Sequence, residues 1–283
     1  MIEGQFQFGD AQHEIVLSGP EATRQLFRGR RLWTKNARQA AVGASQSTGS
    51  GAIGCVASLE DHVTERTLMT PKGRTMYGNG TLKAGYFAGL ITPLWLALGV
   101  AIAGALYPGY SHVDQAMSLL GAEGAPTQGI SPLINNFPLG GLFLLFGASV
   151  LRRFDNLWAR LSGLLIMLHG LGSFGTGYFA CDAGCAPANP STSQSLHNLA
   201  GLIMAFSLLL ASGLWVWLAR RVLASPGFSW FSLVCTLVAL GALPLMAGAL
   251  ESGHGFGLYQ RINYGASLLW VAALALMLLR RPG

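Results

Sequence analysis

Apolar residues fall along this chain in six long runs, at roughly 85–106, 137–151, 161–180, 198–218, 228–249 and 262–279, separated by polar connectors. Crossing a hydrocarbon core takes about 20 apolar residues in a helix. Each run therefore predicts a membrane-spanning helix, the second being short unless it begins near Leu133. The pattern predicts an all-α integral membrane protein, a six-helix transmembrane bundle over residues 83–283.

Residues 1–82 carry no such pattern. Their Gly, Ser, Thr, Arg and Gln, with the run "AVGASQSTGSGAIG", offer no periodic apolar face, so a disordered or weakly ordered tail is expected there. The longest apolar run, in "GAIGCVAS", is shorter than the core of a secretory signal. Met76 or Met69 would be an alternative start, because "MYGNGTLKAGYF" supplies the short basic lead of a polytopic protein.

Charge then orients the spans. Lys72, Arg74 and Lys83 precede the first run, Arg152, Arg153 and Arg160 lie between the second and third, Arg220 and Arg221 follow the fourth, and Arg280 and Arg281 follow the sixth. The alternate connectors, 107–136 and 181–196, hold no Lys or Arg, and the last holds Arg261 alone. By the positive-inside rule both termini are expected to be cytoplasmic. The same accounting removes nucleic acid as a partner, since the formal charge of +6 is spread by topology instead of gathered into a patch. A composition of 51% hydrophobic and 11% charged residues agrees with lipid as the main solvent. The expected location is the cytoplasmic membrane of a prokaryote.

Small residues within the runs suggest where helices approach closely: Gly85 with Gly89, then Ala97, Ala101 and Ala105, and Gly172 with Gly175. Pro93 and Pro244 predict kinks in the first and fifth spans. Trp95, Trp158, Trp230 and Trp270 do not all fall at expected interfaces.

Candidate chemistry collects on the sparsely charged side. The first connector has Ser111, His112, Asp114, Gln115 and Ser118, the second Cys181, Asp182, Cys185 and His197, and the third Glu251, His254, Gln260 and Arg261. Asp182 and His197 flank consecutive antiparallel spans, where a carboxylate could orient an imidazole as base or metal ligand; equally, one is a wet loop residue and the other an interfacial cap. His169 lies about 15 Å below the outer end of its span at the helical rise, with Gly172, Ser173 and Thr176 on its face. That stripe suits either interhelical hydrogen bonds or a substrate path. Arg261 could hold a lipid phosphate or substrate carboxylate, or pair with Glu251 or Asp182. Cys181 and Cys185 are close enough for a small-loop disulfide in an oxidising compartment. Zinc would draw on His112, Asp182, His197 and His254, although no tight metal spacing occurs. Haem is disfavoured, because His169 and His197 lie at different depths.

"PGYSHVDQAMSLLG", "GYFACDAGC" followed by "SLHNLAG", and "GLYQRINYGASLLW" together resemble the domain-of-unknown-function 998 family of prokaryotic multi-span membrane proteins, over about residues 85–281. The resemblance implies Ser118 with Gly121, Asp182, His197, Gln260 and Arg261 as family-like polar positions. Leu119 and Leu120 stand where an acidic residue is expected. In topology and first-loop pattern the chain is also similar to the Frag1, DRAM and Sfk1 group, which implies membrane lipid as a partner.

Three functions remain open on the sequence. One is handling of an outer-leaflet lipid, as a metal-assisted hydrolase with Asp182, His197 and Ser118 catalytic or as a binding protein; Arg261, Gln260, Glu251 and His169 would then bind the ligand. The others are a small-solute or ion transporter and a non-catalytic scaffold or sensor.

Overall fold

The structure is a computed structural model that describes residues 77–281, with side chains from Gly80 onward. Expectations for the tail and for starts at Met69 or Met76 fall outside the described residues. Among the described residues there are six α-helices: α1 (Tyr77–Ala105), α2 (Phe137–Arg153), α3 (Leu157–Tyr178), α4 (Thr192–Val222), α5 (Pro226–Ser252) and α6 (Phe256–Leu279). All six are long and apolar enough to cross a membrane once the turn before α2 is counted, and the described residues contain no strand. The chain is a multi-pass membrane protein.

The first and second spans differ from the apolar runs at their ends. Helix α1 starts at Tyr77, because a helix continues through polar residues at the membrane edge as readily as through apolar ones. The second span gains its missing length from a π-helical turn, Pro132–Asn136, that runs directly into α2. A π turn displaces carbonyls from the usual ladder, and in lipid these must find other donors. The Trp95 indole donates to the Ile134 carbonyl (2.8 Å), and the Ser173 hydroxyl donates to that of Asn136 (2.8 Å). The Asn136 amide in turn donates to Thr176 Oγ1 (2.9 Å).

Each helix packs on its neighbours in chain order, and α6 returns to α1, so the six form a closed ring. The tightest seam joins α2 and α3. A Cβ on Gly163 would stand 2.8 Å from the Gly147 carbonyl, and one on Gly170 would stand 2.8 Å from that of Gly140. Two glycines seven residues apart on each antiparallel helix therefore meet in reciprocal pairs. Gly85 and Gly89 fit α1 against Ser149 and Phe146 of α2, while Gly172 and Gly175 admit Met204 and Ala200 of α4, as the sequence suggested. Ala97, Ala101 and Ala105 are different: they are exposed.

Pro93 takes an N–H out of α1, and the Gly89 carbonyl it would have served accepts the Thr92 hydroxyl instead (2.9 Å). Buried tryptophans likewise need partners for their N–H groups. Trp215 donates to Ser162 Oγ (2.9 Å) and Trp270 to Ser232 Oγ (3.1 Å), which ties α4 to α3 and α6 to α5. Trp158, Trp217 and Trp230 are exposed at the end of the bundle that carries Arg160, Arg220 and Arg221, whereas Trp270 is fully buried.

Candidate functional site

Gly253 ends α5 in the left-handed region (φ 74°), and Gly255 (φ 85°) opens α6 without a side-chain cap. The cap comes from the first long loop. Asp114 Oδ1 accepts the Gly255 N–H (3.0 Å), and the Val113 carbonyl accepts that of Leu258 (2.7 Å). A carboxylate at a helix N-terminus answers both the free N–H groups and the helix dipole. Together with the Ser111 hydroxyl bonded to Asp114 Oδ2 (2.9 Å), these contacts hold the Asp114 carboxyl below its ordinary pKa.

One turn further along α6, the loop presses on Gly257, where any Cβ would overlap the Gln115 carbonyl. The Gln260 side chain accepts the Met117 N–H (2.7 Å) at the head of a 3₁₀ turn, Met117–Gly121. Arg261 completes the clamp. Its Nη1 donates to the carbonyls of Gln115 (3.2 Å) and Gly257 (2.9 Å), and its Nη2 donates to Tyr110 Oη (2.9 Å) and His112 Nδ1 (3.0 Å). All four acceptors are neutral. Among the described residues no carboxylate lies within 4.0 Å of this guanidinium, so neither Glu251 nor Asp182 is its partner. Glu251 is exposed at the end of α5.

His112 feels this arrangement directly. With Nδ1 accepting from Arg261, its proton sits on Nε2, and desolvation together with the Arg261 charge holds its pKa below 6.5. The folded state therefore favours neutral His112. That contribution is present above pH 6.5 and drains away as pH falls from there toward the depressed folded value. Melting temperature followed through this window should fall more for the wild type than for His112→Gln, which keeps an acceptor but does not titrate.

Between α1 and α6, directly below Arg261 and His112, lies a cleft of about 490 Å³. Helix α1 lines it with Pro93, Leu96, Ala97, Val100 and Ala101, and α6 lines it with Arg261, Tyr264, Gly265, Leu268 and Leu269. Both sets follow the i, i+3, i+4, i+7, i+8 spacing of one helix face. The small side chains of Ala97, Ala101 and Gly265 leave the space open, which is what the exposed alanine ladder of α1 does here. From Arg261 to Leu269 the cleft runs about 12 Å at the helical rise, close to the depth of one leaflet.

The second long loop forms a separate cluster. Cys181 and Cys185 are joined in a disulfide. Asp182 accepts from the backbone N–H (2.9 Å) and hydroxyl (2.5 Å) of Ser191, the N-cap of α4, and these bonds hold its carboxyl below the usual range. His197 Nδ1 lies 2.7 Å from the Phe179 carbonyl and donates to it. Asp182 and His197 are thus each bonded within the loop and not to one another. Buried Gln194 organises the loop: it accepts from the Asp182 N–H (2.9 Å) and donates to Asn198 (2.8 Å). Ser118 lies in the 3₁₀ turn of the first loop, with its carbonyl 3.6 Å from Cys181 Sγ, and the Glu123 N–H donates to the Cys181 carbonyl (2.8 Å).

The four zinc candidates divide between these places. His112 meets Arg261 and His254 approaches Asp114 (3.8 Å) around the first loop, whereas Asp182 and His197 belong to the second. Among the described residues no three His, Cys, Asp or Glu side chains are gathered where one ion could join them. His169 is fully buried in the ring. Its Nδ1 donates to the Met204 carbonyl (2.9 Å), and Nε2 accepts from the hydroxyl of Tyr264 (3.3 Å), whose ring lines the cleft. Ser173 and Thr176, on the same face, bond to the π turn. Asn136, Gln194 and Tyr264 escaped the sequence reading, since the first two lie in polar connectors and the third in an apolar run, and neither setting declares which neighbour a polar side chain will meet.

No curated protein and no solved structure matches the chain. The family model described as Protein of unknown function (DUF998) matches residues 90–277, which covers nearly all of the six-helix domain, and the chain belongs to that family.

Proposed function

We propose that the protein binds an amphiphile with an acidic head group, drawn from the leaflet on the side of the long loops. The hydrocarbon chain lies in the α1–α6 cleft and the head lies at Arg261. The observation that carries this reading is the cleft itself, which joins apolar walls one leaflet deep to a guanidinium with no carboxylate partner. Its volume is within the ~300–1,000 Å³ of ligand pockets. By the positive-inside rule the loops face outward and the termini face the cytoplasm of a prokaryotic cell, so the ligand comes from the outer leaflet. Binding is favoured over hydrolysis, because the lining holds no serine, cysteine or carboxylate to serve as nucleophile.

Filling the cleft tests the proposal. A Cβ on Gly265 meets nothing within 4 Å, so Gly265→Trp should fold and occupy the space. We expect its affinity for a spin-labelled fatty acid in detergent to fall about tenfold or more, as when a pocket's complementarity is lost. Unchanged binding of the labelled acid by folded Gly265→Trp would sink the reading.

A further inference from the structure

The opposite face of the bundle holds a second concentration of charge. Helices α2, α4 and α6 end there in Arg152 and Arg153, Arg220 and Arg221, and Arg280 and Arg281, and Arg160 joins them from the first turn of α3. None of these seven guanidiniums makes an ion pair with a described residue, and Asp155 is the acidic residue among them in sequence. Arg261 spends its donors on the protein's own carbonyls, tyrosine and histidine. These arginines do not.

Arg153 lies over the buried ring of Phe154 (5.5 Å), whereas Arg220 and Arg221 lie over exposed indoles. Arg220 Cζ is 5.9 Å from the ring centroid of Trp230 on α5, and Arg221 Cζ is 4.5 Å from that of Trp217 on α4. Both indoles are exposed, Trp217 at 42% and Trp230 at 58%, on helices that span the membrane. The chain between Asp182 and Glu251 carries no acidic residue, and Glu251 lies at the far end of α5, so no carboxylate of α4, α5 or their connector stands near the pair. Stacking on an aromatic face holds a guanidinium plane while leaving its edge N–H groups free, the geometry that meets a phosphate with two parallel hydrogen bonds.

We infer that the α4–α5 corner formed by Arg220, Arg221, Trp217 and Trp230 binds the phosphate of an anionic phospholipid in the leaflet at the arginine-bearing face. Charge complementarity selects an anion. The exposed indoles select a lipid over a soluble phosphate, because they sit where the glycerol and upper acyl chain of a bound phospholipid would lie. The site is at the opposite end of the bundle from the α1–α6 cleft and does not depend on it.

The test is retention of lipid by the full chain in neutral detergent, read by native mass spectrometry after addition of phosphatidylglycerol, phosphatidylcholine or glycerol phosphate. Phosphatidylglycerol should remain bound to the wild type, and the other two should not. R220Q/R221Q should retain about tenfold less, the scale of one charge-assisted contact. R280Q/R281Q removes the same charge from the same face without a tryptophan beneath it, and should retain nearly the wild-type amount. R220K/R221K preserves charge and topology but not the planar fork, and should retain about threefold less. Equal loss in R280Q/R281Q would mean diffuse attraction and overturn the site. So would wild-type retention in both the glutamine and lysine variants, and so would displacement of the lipid by glycerol phosphate.

Discussion

Replacing Gly163 with alanine should lower the unfolding free energy of the bundle by about 2–3 kcal/mol, the upper part of the range for overpacking a filled core. The added methyl group would stand 2.8 Å from the Gly147 carbonyl oxygen and 2.8 Å from the Leu151 backbone nitrogen. Backbone cannot rotate away as a side chain can, so α2 and α3 must separate. Separation gives up the close van der Waals contact on which helix association in lipid rests. Gly213→Ala is the matched control: nothing lies within 4 Å of its Cβ, and removing a mid-helix glycine should be neutral or stabilising by up to about 1 kcal/mol. Unfolding in mixed detergent micelles compares the two. Similar stability for both variants would show that the glycine seam does not hold α2 to α3.

Arg261→Ala should have the largest effect on ligand binding. A hydrocarbon chain passing from bilayer to cleft exchanges one apolar surface for another and gains little, so discrimination must come from the head group. Losing a charged hydrogen-bond donor there should weaken an acidic amphiphile by about ten- to a hundredfold while leaving a neutral analogue of equal chain length nearly unaffected. The same change removes three hydrogen bonds that hold the first loop to α6, so hydrogen exchange in residues 110–117 should rise with it. Arg261→Lys separates the two roles, since it restores the charge but cannot reach four acceptors at once. If Arg261→Ala kept full preference for the acidic ligand, the head-group role would be lost even with the loop loosened.

The two arginine sites differ in a way that charge counting does not reveal. Arg261 is built into the protein, with neutral acceptors on both terminal nitrogens and its charge left over. Arg220 and Arg221 rest on tryptophans, with no ion partner among the described residues. The first arrangement positions a loop and a cleft mouth together. The second leaves guanidinium edges without an ion partner among the described residues.

The sequence by itself determined the six spans, and it did so because lipid allows little else: a backbone in hydrocarbon must satisfy its own hydrogen bonds, so apolar length alone announces a helix. It also marked the loop-rich side as the place for polar chemistry, and the family motifs "PGYSHVDQAMSLLG" and "GLYQRINYG" do meet there. What they form was decided only by tertiary structure. Asp182 and His197 flank consecutive antiparallel helices, yet Asp182 is bonded to Ser191 and His197 to the Phe179 carbonyl. Ala97 and Ala101 carry the same small-residue spacing as Gly85 and Gly89, but one pair lines an open cleft and the other packs on α2. Spacing along a helix tells which residues share a face. Which neighbour that face meets, or whether it meets one at all, depends on how six helices close into a ring.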